Sequence, residues 1–180
     1  MTVNKNHLIN TIKLSIPKFQ EELIDTYYLT YEEIKLTSEL ALHYLNDEKI
    51  DIAIQTMYKL KESMDKNLWS DNTDNIKNVS LYIMVLYNLT KCLGLSGKYK
   101  EAVSLCETAQ DYCLKTNQVK NLPLILLNKA CCLCDQGDVE EGIKELRIAY
   151  YGCLMTKRDE EVEEIKEYAH EKKLNIVFDQ

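Results

Sequence analysis

The chain has 180 residues, a net charge of −7, 46% hydrophobic and 28% charged residues. That composition excludes disordered and collagen-like classes, and the length suits one substantial core better than two. Five glycines and two prolines are too few for the turns of a β-sandwich or barrel. Only Arg147 and Arg158 are arginines, so this acidic chain is not expected to bind nucleic acid directly, which takes clustered Lys and Arg.

The opening residues, Met-Thr-Val-Asn-Lys-Asn-His, run into a short amphipathic segment instead of an apolar block, so no signal peptide is expected. No stretch approaches the roughly 20 apolar residues of a membrane helix. Seven cysteines, an odd number scattered through helical patterns, suit a reduced cytoplasmic compartment and not a disulfide framework.

Apolar residues recur with a period near 3.6 almost throughout, which predicts an all-α fold. Residues 1–30 carry two short helices, the first marked by Leu8, Ile9 and Ile12 and broken at Pro17, the second over about 19–27. A helix over 31–45, with Ile34, Leu40, Ala41 and Tyr44 inward, pairs with one over 49–66 through Ile50, Ala53, Ile54, Met57 and Leu60. Residues 67–75 are rich in turn and cap formers and read as a loop. Helices over 76–95 and 98–116 form a second pair about Gly97, and helices over 119–136 and 138–155 a third about Gly137-Asp138. A capping helix over 159–172 starts in the run Asp159-Glu-Glu-Val-Glu-Glu164, whose carboxylates favour a helix N-terminus. Within the terminal stretch 157–180, the apolar tail Leu174–Phe178 is expected to pack on that helix, or else to offer a short exposed binding segment.

Displacing the chain by forty residues superimposes a repeat. Ten of the 31 residues from 86 to 116 are identical to those from 126 to 156, among them Leu86/Leu126, Asn88/Asn128, Cys92/Cys132, Gly97/Gly137, Ala109/Ala149, Cys113/Cys153 and Leu114/Leu154. An offset shared by helix faces and turn glycines implies a repeated structural unit. Gly97 and Gly137 fall where the chain reverses, a position that favours a left-handed residue. Ala102 and Gly142 fall early in the second helix, where close approach tolerates no bulk, and Asp138 is placed to cap its helix.

Tyr87-Asn-Leu89, Gly97-Lys-Tyr-Lys-Glu-Ala102 and Ala109, with Asn128, Gly137-Asp138, Ile143 and Ala149 one unit later, resemble the tetratricopeptide repeat. The pair at 31–66 is a looser match without a turn glycine. The resemblance implies a TPR-like alpha-alpha superhelix of stacked antiparallel hairpins over 31–156 (31–66, 76–116, 119–156), closed by the C-terminal capping helix.

Taken with Leu29-Thr-Tyr-Glu-Glu-Ile34, Leu122-Pro-Leu-Ile-Leu-Leu-Asn-Lys-Ala130 and Ile165-Lys-Glu-Tyr-Ala169, the order of features is similar to the C-terminal sensor domain of Firmicutes helix-turn-helix transcriptional regulators, relatives of the peptide-pheromone-responsive regulators. That likeness implies a cytoplasmic, homodimeric sensor with a peptide or protein ligand in a concave groove. These regulators carry a DNA-binding domain before the repeats, and the 180 residues have neither room for it nor a basic recognition helix. The alternative is a stand-alone TPR scaffold that recruits a protein partner constitutively, and a DNA-binding segment upstream would separate the two.

The first helix of each hairpin lines the groove in such arrays. Counting from the turn glycines places Met84, Tyr87, Asn88, Lys91 and Leu95 on that face, and Leu124, Leu127, Asn128, Cys131 and Asp135 one unit later. Each asparagine offers a donor and an acceptor to a peptide amide, whose own groups in an extended ligand are otherwise unpaired. The competing reading is that they stitch neighbouring helices together. Lys91 would meet a carboxylate or simply stay solvated.

No catalytic residues, metal ligands or cofactor are expected. Cys131-Cys-Leu-Cys134 has no second ligand pair to complete a zinc site, and cysteines at repeat-equivalent packing positions act as small hydrophobes. His7, His43 and His170 lie on different helices, and no Gly-rich phosphate loop occurs.

Overall fold

The computed structural model describes residues 30–67 and 75–178 and is helical throughout, with no strand among the described residues. The helices are α1 (Tyr31–Asn46), α2 (Ile50–Asn67), α3 (Asn75–Leu95), α4 (Tyr99–Lys115), α5 (Leu122–Gln136), α6 (Val139–Thr156) and α7 (Asp159–Glu171). The short helices expected within 1–29 and most of the loop expected at 67–75 lie outside the described residues. No helix among the described residues is long and apolar enough to cross a membrane. Helices pack on those one or two places away along the chain, and the residues divide into two compact units, one ending at Ser96 and the other starting at Gly97.

In the first unit, α1 and α2 form a hairpin and α3 packs on both. Thr30 and Glu33 close a capping box: the Glu33 amide donates to Thr30 Oγ1 at 3.3 Å, and the Thr30 amide donates to Glu33 Oε2 at 2.8 Å. Two of the four free amides at the start of α1 are thereby satisfied. The core holds Ile34, Leu40, Ala41, Ala53, Ile54, Met57 and Leu60 beside Val85, Leu86 and Leu89, so the inner faces read from the apolar period are the buried ones, with Tyr44 half-buried at their edge.

The second unit carries α4, a 3₁₀ turn at Val119–Asn121, and α5, α6 and α7. The sequence pattern starts a helix at 119, whereas α5 begins at Leu122 with Pro123 in its first turn. Proline lacks an amide and disfavours helical geometry at the residue before it, so the preceding residues tighten into 3₁₀ instead. α5 and α6 run close together and antiparallel. A Cβ on Gly142 would stand 3.0 Å from both the Ala130 carbonyl oxygen and the Cys134 amide nitrogen, and against Cys134 Sγ. One on Gly152 would stand 2.8 Å from Pro123 Cγ. Asp138 precedes α6, but its side chain does not cap the helix. Its Oδ2 accepts instead from Gln136 Nε2 at 2.7 Å.

The helix ends share one device. At the close of α5, Gly137 is left-handed (φ 104°), its amide donates to the Cys134 carbonyl at 3.1 Å, and the Asp138 amide donates to Leu133 at 2.9 Å. This is the Schellman arrangement, which satisfies carbonyls that a helix end would otherwise orphan. The same pair of bonds recurs around Glu48 (φ 61°), Asn117 (φ 57°), Lys157 (φ 57°) and Lys173 (φ 53°). Asn117 and Lys157 are forty residues apart, as are Gly97 (φ 77°) and Gly137, so the repeat fixes both ends of its second helix. Even the hydroxyl bonds recur: Thr116 Oγ1 donates to the Tyr112 carbonyl and Thr156 Oγ1 to that of Gly152.

Beyond α7 the chain is extended. Leu174, Ile176 and Phe178 turn inward onto a core of Leu126, Leu127, Ala130, Leu146, Tyr150, Val162 and Ile165, while Val177 is exposed. The Phe178 and Tyr150 rings lie 4.4 Å apart, tilted by 31°. The apolar tail thus covers the joint face of α5, α6 and α7 and not the last helix alone.

Candidate functional site

On α3, Met84, Tyr87, Asn88, Lys91 and Leu95 follow an i, i+3, i+4, i+7, i+11 pattern that keeps them on one side of the helix. Their surroundings differ. Lys91 and Leu95 are exposed, Met84 and Tyr87 are half-buried, and Asn88 is enclosed at 5% exposure. The Asn88 amide nitrogen donates to Ser38 Oγ at 3.0 Å, and Ser38 in turn points its hydroxyl at Met57 Sδ, 3.9 Å away. A chain of contacts from α3 through α1 to α2 therefore uses the amide group that the sequence offers to a ligand.

On α5, Leu127 belongs to the core, 4% exposed, and Leu124, Asn128 and Cys131 are half-buried. Cys131 and Asp135 meet α7. The Tyr168 hydroxyl lies 3.1 Å from both the Cys131 carbonyl oxygen and Asp135 Oδ1, and Lys172 Nζ pairs with Asp135 Oδ1 at 2.6 Å. Burial, then the neighbouring Cys131 and Asp135, push the Tyr168 phenol well above its ordinary range, so it stays a proton donor to these acceptors. The lower part of the wall read from the sequence is thus the seat of the last helix, and Leu124 and Asn128 remain at its upper end.

Near Asp135 a shallow, open depression of about 580 Å³ lies between the start of α4 (Lys98, Tyr99, Lys100) and the end of α5 (Asp135, Gln136). The sequence reading reaches it only through Asp135. Gln136 Oε1, buried at its margin, has no hydrogen-bond partner.

A second feature escapes the apolar pattern. Lys129 and Glu145, each with a side chain only 12% exposed, pair at 2.8 Å between α5 and α6, and Glu107 of α4 stands 3.7 Å from the same ammonium. Burial works against the charge on Lys129, but the hydrogen bond and field of Glu145 outweigh it and raise the lysine above its ordinary value. The signal for this pair lies in the repeat: forty residues earlier the same two positions are Leu89 and Leu105. Two leucines replaced together by opposite charges indicate a contact.

Burial also sets the cysteine chemistry. It pushes the thiols of Cys92, Cys113, Cys132 and Cys153 up to about 11, that of Cys131 further, and that of Cys134 upward against an opposing hydrogen bond from Tyr168. Thiolates are the nucleophilic and metal-binding form, so at neutral pH these groups are protonated packing residues. Among the described residues no three His, Cys, Asp or Glu side chains converge as a metal site. His43 is half-buried and His170 exposed, on α1 and α7 respectively, while His7 lies outside the described residues.

Comparison of the chain with protein-family models, curated proteins and solved structures returns no match.

Proposed function

We propose that the chain is a tetratricopeptide-like sensor domain that binds an extended peptide and reports it to a DNA-binding domain, as in the Firmicutes regulators whose sequence pattern it resembles. The observation that carries this reading is the forty-residue repeat. Its turns are left-handed at both Gly97 and Gly137, and its small residues Ala102, Gly142, Ala109 and Ala149 are all buried. Repeats of this kind exist to present side chains at a fixed spacing to an elongated partner.

In this reading the ligand-contacting residues are the accessible members of the two sets, Tyr87, Lys91 and Leu95 on α3 and Leu124 and Asn128 on α5, while Asn88 and Leu127 hold the scaffold. Lys91 meets a ligand carboxylate and Asn128 a backbone amide. Sensing requires that the ligand favour one of two arrangements of the protein over the other, and a dimer is the assembly in which such a shift is read on DNA.

Native mass spectrometry of the protein purified from its own host tests this directly. The expected result is a co-purifying peptide that is retained by Asn88→Ala and lost from Asn128→Ala. Absence of any peptide, or equal retention by Asn128→Ala, overturns the assignment.

A further inference from the structure

The solvent side of α6 carries Ile148 at 56% exposure, Tyr151 at 43% and Met155 at 85%, with Leu154 beside them at 44%. Ile148, Tyr151 and Met155 are spaced i, i+3, i+7 and so form one stripe, about 10 Å long at 1.5 Å per residue. Lys144 and Arg147 are exposed at its upper end.

The repeat supplies an internal control for this face. Shifted by forty residues onto α4, the positions of Lys144, Arg147, Ile148, Tyr151 and Met155 are Ser104, Glu107, Thr108, Asp111 and Lys115. The same scaffold position is therefore satisfied by polar and acidic residues, and Asp111 and Lys115 there form an ordinary surface ion pair at 2.7 Å. Nothing in helix packing requires the apolar residues on α6. Relative to α4 this face has exchanged two carboxylates for a tyrosine and an arginine, in a chain whose net charge is −7. Exposed apolar residues with a charged rim are the composition of a docking surface.

We propose that this stripe of α6 docks an amphipathic helix of a partner protein, with apolar anchors set against Ile148, Tyr151 and Met155 and carboxylates set against Lys144 and Arg147. The site is separate from the peptide-contacting residues of α3 and α5. Sign of charge selects this occupant. From Gly142 to Thr156 the only carboxylate on α6 is Glu145, which is held by Lys129, so a second copy laid on the stripe would bring cations against cations. An anionic bilayer would meet a chain that is acidic as a whole, with two cations on this face to attract it. A helix with apolar residues at matching intervals fits both the length of the stripe and its rim.

The test uses two fluorescein-labelled peptides of about 18 residues with the same leucine face, one flanked by glutamates and the other by lysines. In fluorescence anisotropy the glutamate peptide binds the full chain about tenfold more tightly than the lysine peptide. Ile148→Thr/Tyr151→Asp/Met155→Lys, which installs the residues that α4 already carries, abolishes that binding while thermal unfolding stays unchanged. Arg147→Glu alone removes the preference for the acidic peptide and serves as the decisive variant if the triple substitution does not fold. The proposal is overturned if neither peptide binds at millimolar concentration, if both bind equally, or if the triple variant binds like the parent. It is also overturned if sedimentation shows a dimer that the triple variant loses, or if phosphatidylglycerol vesicles bind through the stripe in place of the acidic peptide.

Discussion

A residue with a Cβ held in the left-handed region sets that atom against the following carbonyl oxygen, at a cost of about 1–2 kcal/mol. Glu48 bears this cost at φ 61° because the reversal between α1 and α2 needs the same pair of backbone bonds that Gly137 makes between α5 and α6. Glycine in that place removes the clash, so Glu48→Gly is expected to raise stability by about 0.5–1 kcal/mol, read as a higher urea midpoint at unchanged slope. Glu48→Val is expected to lower it, since a β-branched residue tolerates the conformation worst. The first hairpin lacks the glycine by which the other two reversals can be read, and so its turn was not legible at the level of residue type. It follows from the geometry of chain reversal, which imposes the conformation whatever residue stands there. Asp138 illustrates the converse: its type suits a cap, but Gln136 competes for the carboxylate.

Two contacts decide how α5 and α6 fit together. Gly142 sits against backbone atoms of Ala130 and Cys134, and backbone cannot rotate out of the way as a flexible side chain can. Gly142→Ala is therefore expected to destabilise the chain by about 1–3 kcal/mol through forced separation of the helices, measured by thermal unfolding. The second contact is the buried pair of Lys129 and Glu145. Removing one partner strands a charge, and Lys129→Ala is expected to cost about 3–5 kcal/mol. Lys129→Leu combined with Glu145→Leu is expected to be close to neutral, because both charges leave together and the repeat already places leucines at the corresponding positions. A double-mutant cycle in urea measures the difference. Helix identity and inner faces were legible from the 3.6 period. The pair was not, because periodicity reports how one helix alternates and not which residues meet across two helices. Pro123 shifted the start of α5 for an equally local reason, its missing amide.

Seven helices in chain order and a forty-residue frame could be read directly from the sequence. The division at Ser96 and Gly97, and the seating of α7 on Cys131 and Asp135, could not. A pattern repeated along a chain defines a unit but not what covers its last copy, where Tyr168 and Lys172 stand. The whole molecule also has a common alkaline response. Four thiols held at about 11 remain protonated in the folded chain while the unfolded chain releases its protons near the ordinary value of 9.0. The folded state then binds more protons than the unfolded one, so stability falls between pH 9 and 11, with a slope approaching about 1.4 kcal/mol per pH unit for each thiol. Lys129, raised by Glu145, adds in the same direction: its contribution is complete below the ordinary lysine value and is lost as pH rises through its folded value. Urea unfolding under reducing conditions at pH 8.0 and about 10.5 is expected to show this decline, and Cys113→Ala with Cys153→Ala to reduce it.

Asn117 and Lys157 share one backbone state and stand one repeat apart, as Gly97 and Gly137 do. A stretch of gene cut at two such points begins and ends on residues with the same torsion angles, the same pair of amide bonds behind them and the same phase of the apolar face. Duplicating or deleting it preserves the joints on either side. Array length in this protein is thus open to change by a single recombination event, without the intermediate, misjoined forms that most insertions into a folded chain must pass through.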